Sequence, residues 1–257
     1  MNLPERRVTN PKIADLGPTW RRYAGVSLLF DNPGPLLGAS GGTRGLSVPG
    51  PGDAPLLEAL GDASDMLDAE RLRARFGLCR LPPATYHVTV CDGVNQIQAS
   101  GLRSRSAGAV QGLLRDLPLS LTELPASLDF LAGRELVDAV GGLRVAFVAA
   151  ELVRWGSVLA VRLETASRDD EAALREIREE RDAYASEIEA RLGLRVQAWR
   201  PHVSLAYFAD SGGADAAGSE ISRWSDEVLG PVEEATVCFS SVSLYGFTDM
   251  VTFFKAA

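Results

Sequence analysis

The alternation of apolar and polar residues predicts two short strands, one at about residues 85–91 and the other at about residues 196–209. Both stretches are rich in β-branched and aromatic residues, which favour the pleated backbone of a sheet. Similar runs predict further strands at residues 23–30, 143–154, 157–164, 236–247 and 250–254. The last four are expected to pair as two hairpins.

Apolar residues at helical spacing predict helices between these strands. They cover residues 62–76, several segments between 92 and 142, residues 167–192 and residues 219–229. Gly77 is the expected C-terminal stop of the first helix. The longest helix has Ser167 as its expected N-cap and Gly193 as its stop. Its Glu- and Arg-rich face is interpreted as a solvated surface without a functional role.

Residues 32–53 are rich in glycine and proline and contain the run GGTRG at residues 41–45. This run lacks the Gly-Lys-Ser/Thr ending of a phosphate-binding P-loop. We therefore predict a flexible surface loop that is a candidate lid. The order of the elements predicts an α+β chain that forms a single domain over residues 1–257, with two similar helix-and-strand halves.

The composition is that of a soluble globular protein, with 46% hydrophobic and 23% charged residues. The net charge of −8 argues against an extended nucleic-acid surface, because nonspecific affinity for nucleic acid comes mostly from Lys and Arg. A nucleotide or one RNA terminus remains compatible with this charge. No signal peptide or membrane span is predicted, and three widely spaced cysteines favour the cytoplasm. The only lysines, Lys12 and Lys255, lie near the termini, which argues against Schiff-base chemistry.

The chain has only two histidines, and each begins the same short pattern. His87 is followed two residues later by Thr89, and His202 is followed two residues later by Ser204. Residues i and i+2 of a strand point to one face, so each histidine is expected to share a face with its own hydroxyl. An imidazole beside a hydroxyl, present twice, is suited to acid–base chemistry on a phosphate.

The same alternation predicts which neighbouring side chains point away from these groups. The residues expected on the core side are Tyr86, Val88, Val90, Val203, Leu205 and Tyr207. Cys91 is expected on the face of His87. No paired base accompanies this cysteine, so we do not predict that it is a nucleophile.

The paired motifs resemble those of the 2H phosphoesterase superfamily, which contains the RNA 2′-5′ ligase-like and cyclic phosphodiesterase proteins. The resemblance rests on the His-x-Thr/Ser tripeptides at residues 87–89 and 202–204 and on the order of the elements around them. It implies two pseudo-symmetric lobes, each an antiparallel sheet with flanking helices, around a central cleft. It also implies metal-independent cleavage, without a cofactor, of a 2′,3′-cyclic phosphate or a 2′-5′ phosphodiester of a nucleotide or RNA end.

Within this resemblance, His87 and His202 are the expected acid–base pair. Free imidazole has a pKa of about 6.5, so near neutrality one histidine can be neutral while its partner is protonated. Thr89 and Ser204 are expected to donate hydrogen bonds to the non-bridging phosphate oxygens. The sequence leaves open which histidine is the acid and which is the base.

Two other hypotheses stay open. The first treats the histidines as metal ligands, although no carboxylate or thiolate pattern accompanies them, and the second is a nucleotide-binding module without turnover. Arg200, just before the second motif, is a further candidate for phosphate contact, with a surface role as the alternative. Tyr23, Tyr245 and Phe247 are candidates for stacking a nucleobase, with a place in the core as the alternative.

Overall fold

The computed structural model describes residues 7–17, 19–34, 42–103 and 105–256. The strands are β1 (Ile13–Asp15), β2 (Thr19–Trp20), β3 (Gly25–Phe30), β4 (Thr43–Gly45), β5 (Leu78–Arg80), β6 (Thr89–Asn95), β7 (Val145–Trp155), β8 (Val158–Thr165), β9 (His202–Phe208), β10 (Thr236–Phe239), β11 (Val242–Phe247) and β12 (Phe253–Ala256). The α-helices are α1 (Pro55–Met66), α2 (Ala69–Phe76), α3 (Gln96–Gly101), α4 (Ala107–Arg115), α5 (Arg134–Val140), α6 (Arg168–Leu192), α7 (Ser211–Ala216) and α8 (Gly218–Leu229).

The strands of the described residues build two five-stranded antiparallel sheets and one short ribbon. Sheet 1 has the strand order β4-β12-β11-β3-β6, and sheet 2 has the order β10-β7-β8-β9-β5. The ribbon consists of β1 and β2. Together with the helices between the strands, these antiparallel sheets confirm the predicted α+β class.

Large aromatic side chains join the two sheets. Phe30 at the end of β3 stacks on Phe239 of β10, with ring centroids 4.7 Å apart, and meets Phe147 of β7 at 5.9 Å. All three rings are buried, and burying each contributes about 1.5–3 kcal/mol. Because β3 belongs to sheet 1 and the other two strands belong to sheet 2, this cluster fixes the sheets against each other.

The long hairpin and the long helix lie where the apolar pattern predicts them. Strands β7 and β8 pair along their length and turn at Gly156, which has a φ of +57°. The Ser167 side chain accepts a hydrogen bond from the backbone N–H of Asp170 and so caps α6. Gly193 ends this helix in the left-handed conformation, as predicted.

Residues 62–76, predicted as one helix, belong to two separate helices, α1 and α2. α1 already begins at Pro55, and the chain leaves the helical conformation at Leu67. The Asp68 side chain then accepts a hydrogen bond from the backbone N–H of Arg71, which starts α2 as a separate helix. Gly77 ends α2 in the left-handed conformation, as predicted.

Both motif strands begin later than predicted. Pro82 and Pro83 lead into a short 3₁₀ turn, and proline lacks the backbone N–H that a β-sheet requires. Strand β6 therefore begins only at Thr89, and His87 lies in an extended segment just before it. Strand β9 begins at His202 and is preceded by residues 193–201, which form no regular element.

Two further predictions about strands and loops are corrected. Residues 236–247, predicted as one strand, form β10 and β11, which belong to different sheets. Part of the predicted loop at residues 32–53 is regular, because β4 pairs with β12 at the edge of sheet 1. Residues 35–41 of that loop lie outside the described residues. No helix in the described part of the chain combines the length and apolar character needed to cross a membrane.

Candidate active site

A single β-bridge joins the two histidine motifs. Val88, the middle residue of the first motif, pairs antiparallel with Val203, the middle residue of the second motif. Both valines are fully buried, as predicted for the core side. In an antiparallel register the outer residues of one motif lie opposite those of the other. Each histidine therefore comes opposite the hydroxyl residue of the partner motif.

The four predicted site residues line one cavity of about 490 Å³. They are His87, Thr89, His202 and Ser204, and each is half-buried. The first two belong to the segment that forms β6 of sheet 1, and the other two belong to β9 of sheet 2. The structure thus brings together at one cavity two motifs that are far apart in the sequence.

Two long side chains fasten the motif segments to each other. The indole N–H of Trp199 donates a hydrogen bond to the Thr89 carbonyl at 2.7 Å. Arg181 of α6 is buried and donates from Nε to the Val90 carbonyl at 3.3 Å and from a terminal nitrogen to the Gln197 carbonyl. The interpretation of the charged face of α6 as purely solvated is therefore wrong at Arg181, which points inward and holds both segments.

A β-bulge follows the hydroxyl residue in each motif strand. In β6 the extra residue is Val90, because its two neighbours pair with consecutive residues of β3. In β9 the extra residue is Leu205, because its two neighbours pair with consecutive residues of β8. An extra residue reverses the alternation of side chains beyond it. The predicted face is therefore exchanged for the later residues of β9 and, in β6, as far as Asp92, after which a second irregularity occurs at Gly93.

The bulges change the surroundings of neighbouring side chains. Tyr207 is buried in the main core, as predicted, but it also lines the cavity, as does Asp92 of β6. Cys91, predicted on the face of His87, is instead buried in the main core. Burial raises the pKa of the Cys91 thiol to about 12, so this thiol is held in its unreactive protonated form.

The two imidazoles are held in the same way. Nδ1 of His87 lies 2.7 Å from the carbonyl oxygen of Thr85, and Nδ1 of His202 lies 2.8 Å from the carbonyl oxygen of Arg200. A carbonyl oxygen only accepts hydrogen bonds, so each Nδ1 carries the proton. Each neutral ring therefore has its basic lone pair on Nε2.

Each imidazole also packs against one aromatic ring from the end of a strand. Phe253 of β12 lies 4.6 Å from His87, and Trp155 of β7 meets His202 edge-on at 5.1 Å, both measured between ring centroids. These contacts cover one side of each imidazole and limit its rotation. The same three features, a bulge, a carbonyl partner two residues earlier and an aromatic neighbour, therefore accompany both histidines.

The surroundings of the cavity lower the pKa of both imidazoles. Burial is the largest cause for His87, whose pKa is about 4, and the positive charges of His202 and Lys12 act in the same direction. Burial also lowers the pKa of His202, while the nearby carboxylate of Asp92 opposes the shift. Near neutral pH both rings are therefore mostly uncharged. A bound anionic phosphate would favour their protonated forms.

Of the remaining candidates for substrate contact, the structure places three at the cavity and one in the core. Arg200 lines the cavity, with its guanidinium 5.8 Å from the Trp155 ring centroid. Tyr23 and Phe247 also line the cavity and stack on one another at 6.3 Å. Tyr245 is instead fully buried and donates its hydroxyl hydrogen to an aspartate carboxylate, so it has the core position that was the alternative.

Lys12 is a cavity residue to which the sequence pattern assigned no role. It precedes the first strand and has no motif around it, so only the folded chain reveals its position.

A metal site at the two histidines would need a carboxylate or thiolate as a further ligand. Within the described residues no group of three His, Cys, Asp or Glu side chains is placed to hold a metal ion.

No family model and no curated protein matches the chain. Among solved structures, the chain is similar in fold to ATU0111, a conserved protein of unknown function from Agrobacterium tumefaciens. The TM-score is 0.50 at 13% identity, over 96% of this chain and 90% of that chain. The PDE domain of MHV ns2 aligns with a TM-score of 0.29 at 12% identity, over 74% of this chain and 86% of its own. The first similarity concerns the fold alone, and the second is too low to bear on fold or function.

Proposed function

We propose that this protein is a metal-independent phosphoesterase of the 2H superfamily that cleaves a 2′,3′-cyclic phosphate or a 2′-5′ phosphodiester of a nucleotide or RNA end. The observation that carries the proposal is the bridge between Val88 and Val203, because it joins both His-x-Thr/Ser motifs at one cavity. The unprotonated Nε2 atoms of the two neutral imidazoles give further support.

The proposed reaction moves one proton through each histidine. One imidazole takes a proton from water through Nε2 as the water oxygen bonds to phosphorus. The bond from phosphorus to a ribose oxygen breaks, and the other histidine, in its protonated form, gives its proton to that oxygen. Each contribution is typically worth about 10²–10⁴-fold in rate. Asp92 favours the protonated form of His202, so we assign the acid to His202 and the base to His87.

Thr89 and Ser204 complete the proposed site as hydrogen-bond donors. Each hydroxyl lies one position beyond the bridging valine, and the antiparallel register puts it opposite the histidine of the other motif. In this position the hydroxyls would donate to the non-bridging phosphate oxygens. Negative charge grows on these oxygens in the transition state, so the donors would stabilise it more than the ground state.

We also infer that the two sheets with their flanking helices are pseudo-symmetric lobes around the cavity, although each sheet takes strands from both halves of the chain. The support is local: the same bulge, carbonyl partner and aromatic neighbour accompany each histidine, one set on sheet 1 and one on sheet 2. In this arrangement the substrate phosphate would lie on the pseudo-twofold axis near the bridge. Each lobe would then supply one imidazole and one hydroxyl.

One observation favours a second candidate, a nucleotide-binding module without turnover. Burial lowers the pKa of both imidazoles, so the unliganded protein has little protonated histidine near neutral pH. Catalysis then requires that the bound phosphate raise the pKa of one ring. A module that only binds would show the same cavity and the same hydrogen bonds.

The test is product analysis in the presence of a chelator. The protein is incubated with 2′,3′-cyclic mononucleotides, 2′-5′ dinucleotides, cyclic dinucleotides and ADP-ribose cyclic phosphate, and products are identified by mass spectrometry and ³¹P NMR. We expect a ring-opened or cleaved monoester from at least one of these, and none from His87→Ala. Calorimetric binding of the same compounds without any product would support the binding module instead. Activity that chelation removes and a metal ion restores would support the metal hypothesis.

A further inference from the structure

The segment before β1 is fixed by hydrogen bonds to the end of β9, and it places the side chain of Lys12 at the cavity. The backbone N–H groups of Thr9 and Asn10 both donate to the carbonyl of Ala209 at 2.9 Å. The side-chain amide of Asn10 donates to the carbonyl of Phe208 at 2.8 Å. These bonds fasten the segment to the end of β9. Lys12, only two residues further on, is thereby set at the cavity wall.

The Lys12 ammonium lies between two tyrosines. Its Nζ donates to the Tyr207 hydroxyl at 3.1 Å, lies 4.4 Å from the centre of the same ring, and lies 5.2 Å from the centre of the Tyr23 ring. Contacts with aromatic faces orient a cation without neutralising it. In the described part of the chain no carboxylate forms an ion pair with Lys12. Since an ammonium has three donors, two remain for a ligand.

The charge of Lys12 acts at the place where the proposed chemistry occurs. Lys12 lines the same cavity as His87 and His202, and its positive charge lowers the pKa of both imidazoles. Of the other two cations that line the cavity, Arg181 is engaged with backbone carbonyls, and Arg200 lies against an indole ring at a longer distance than Lys12 has to its tyrosines. Because both imidazoles are mostly neutral near pH 7, the ammonium of Lys12 is a positive charge that this cavity offers to a bound phosphate.

We propose that Lys12 is a phosphate-binding residue of this site, whose ammonium contacts a non-bridging oxygen of the substrate while the histidines exchange protons with the reacting oxygens. Its role in turnover rests on the proposed function, but its binding of a phosphate does not. One ammonium matches the single negative charge of a phosphodiester. Removing one preorganised contact of this kind typically costs about 10²–10³-fold in turnover.

The test measures the affinity of the full-length protein for inorganic phosphate by NMR. The chain has only two histidines, so their ring signals report binding at the cavity directly. Lys12→Met is expected to bind phosphate at least about tenfold more weakly than the wild type, and Lys12→Arg within about threefold of it. Arg134→Met is the matched control, because it removes one exposed positive charge of α5 and should leave the affinity unchanged.

The same spectra show whether the variant is folded and whether the charge acts as argued. In Lys12→Met the pKa of both imidazoles should rise, because a positive charge that lowers them is gone. Phosphate affinity of Lys12→Met within about twofold of the wild type overturns the proposal, as does a wild type whose histidine signals do not respond to phosphate. A wild type that binds phosphate through Lys12 but forms no product overturns the proposed function and leaves this inference intact.

Discussion

Val88 and Val203 are β-bridge partners, although one lies just before a strand of sheet 1 and the other lies within a strand of sheet 2. Both are fully buried. The bridge therefore links the two sheets at the point where each contributes a histidine. In this arrangement the distance between the imidazoles is set by backbone pairing rather than by flexible side chains, which is the kind of preorganisation that acid–base catalysis on one phosphate requires.

The assignment of base and acid predicts different responses to the leaving group. A p-nitrophenyl phosphodiester needs little protonation of the departing oxygen, whereas a ribose oxygen needs it. We expect His202→Ala to recover most of its lost kcat on the p-nitrophenyl substrate, and His87→Ala to remain defective on both substrates. The measurement is steady-state kinetics with the two substrates in chelator. Recovery by His87→Ala alone would reverse the two roles.

The hydroxyls of Thr89 and Ser204 are predicted to act mainly in the transition state. Thr89→Val keeps the shape of the side chain and removes the donor, so kcat should fall by about 10²-fold with little change in KM. Ser204→Ala should behave in the same way. Thr89→Ser and Ser204→Thr retain the hydroxyl and are the matched controls, expected within about tenfold of the wild type. A rise in KM at constant kcat in Thr89→Val would show instead that the hydroxyl binds substrate and transition state equally.

The lowered pKa of His87 predicts a specific pH dependence of stability. The folded chain has a His87 pKa of about 4, and an unfolded chain has one of about 6.5. Between these values the unfolded state binds more protons, so the free energy of unfolding is at its full value above pH 6.5 and falls as the pH drops towards 4. His87→Asn should lose less stability than the wild type over this range. Urea denaturation of both proteins at pH 7 and pH 5 tests this, and equal losses would contradict it.

Arg181 is predicted to be a positioning residue. Its guanidinium joins the carbonyl of the bulge residue Val90 to that of Gln197, so Arg181→Met leaves two backbone acceptors without their donor. The free energy of unfolding should fall by about 1–3 kcal/mol. We also expect kcat to fall by at least about tenfold while KM changes by less than about threefold, because the motif segments move relative to each other. Arg181→Lys should recover part of the kcat, and an unchanged kcat in the folded Arg181→Met protein would show a purely structural role.

Local patterns in the sequence predicted the parts of this chain that local physics determines. The caps at Ser167, Gly193 and Gly77 were predicted because a side-chain acceptor or a left-handed residue at a helix end has a short-range signature. The hairpin of β7 and β8 was predicted for the same reason. The two histidine motifs were found because each places an imidazole and a hydroxyl two residues apart.

Features that depend on partners distant in the sequence were missed. The bulges at Val90 and Leu205 arise from pairing with neighbouring strands, so strict alternation misplaced Cys91 and did not indicate that Tyr207 lines the cavity. The inward position of Arg181 was missed because the sequence does not distinguish a buried arginine from the exposed arginines of α6. These side chains either line the cavity or hold its walls, except for Cys91, which the bulge removes from it.

The most direct test of the central claim is a double-mutant cycle on the two histidines, measured as kcat/KM for the best cyclic phosphate substrate. If both imidazoles act on one phosphate, His87→Ala and His202→Ala should each lose about 10²–10⁴-fold, and the double variant should be little worse than the poorer single variant. Thermal unfolding of each variant checks that the fold is intact. Near-normal kcat/KM in either single variant, or losses that simply multiply in the double variant, would contradict the account.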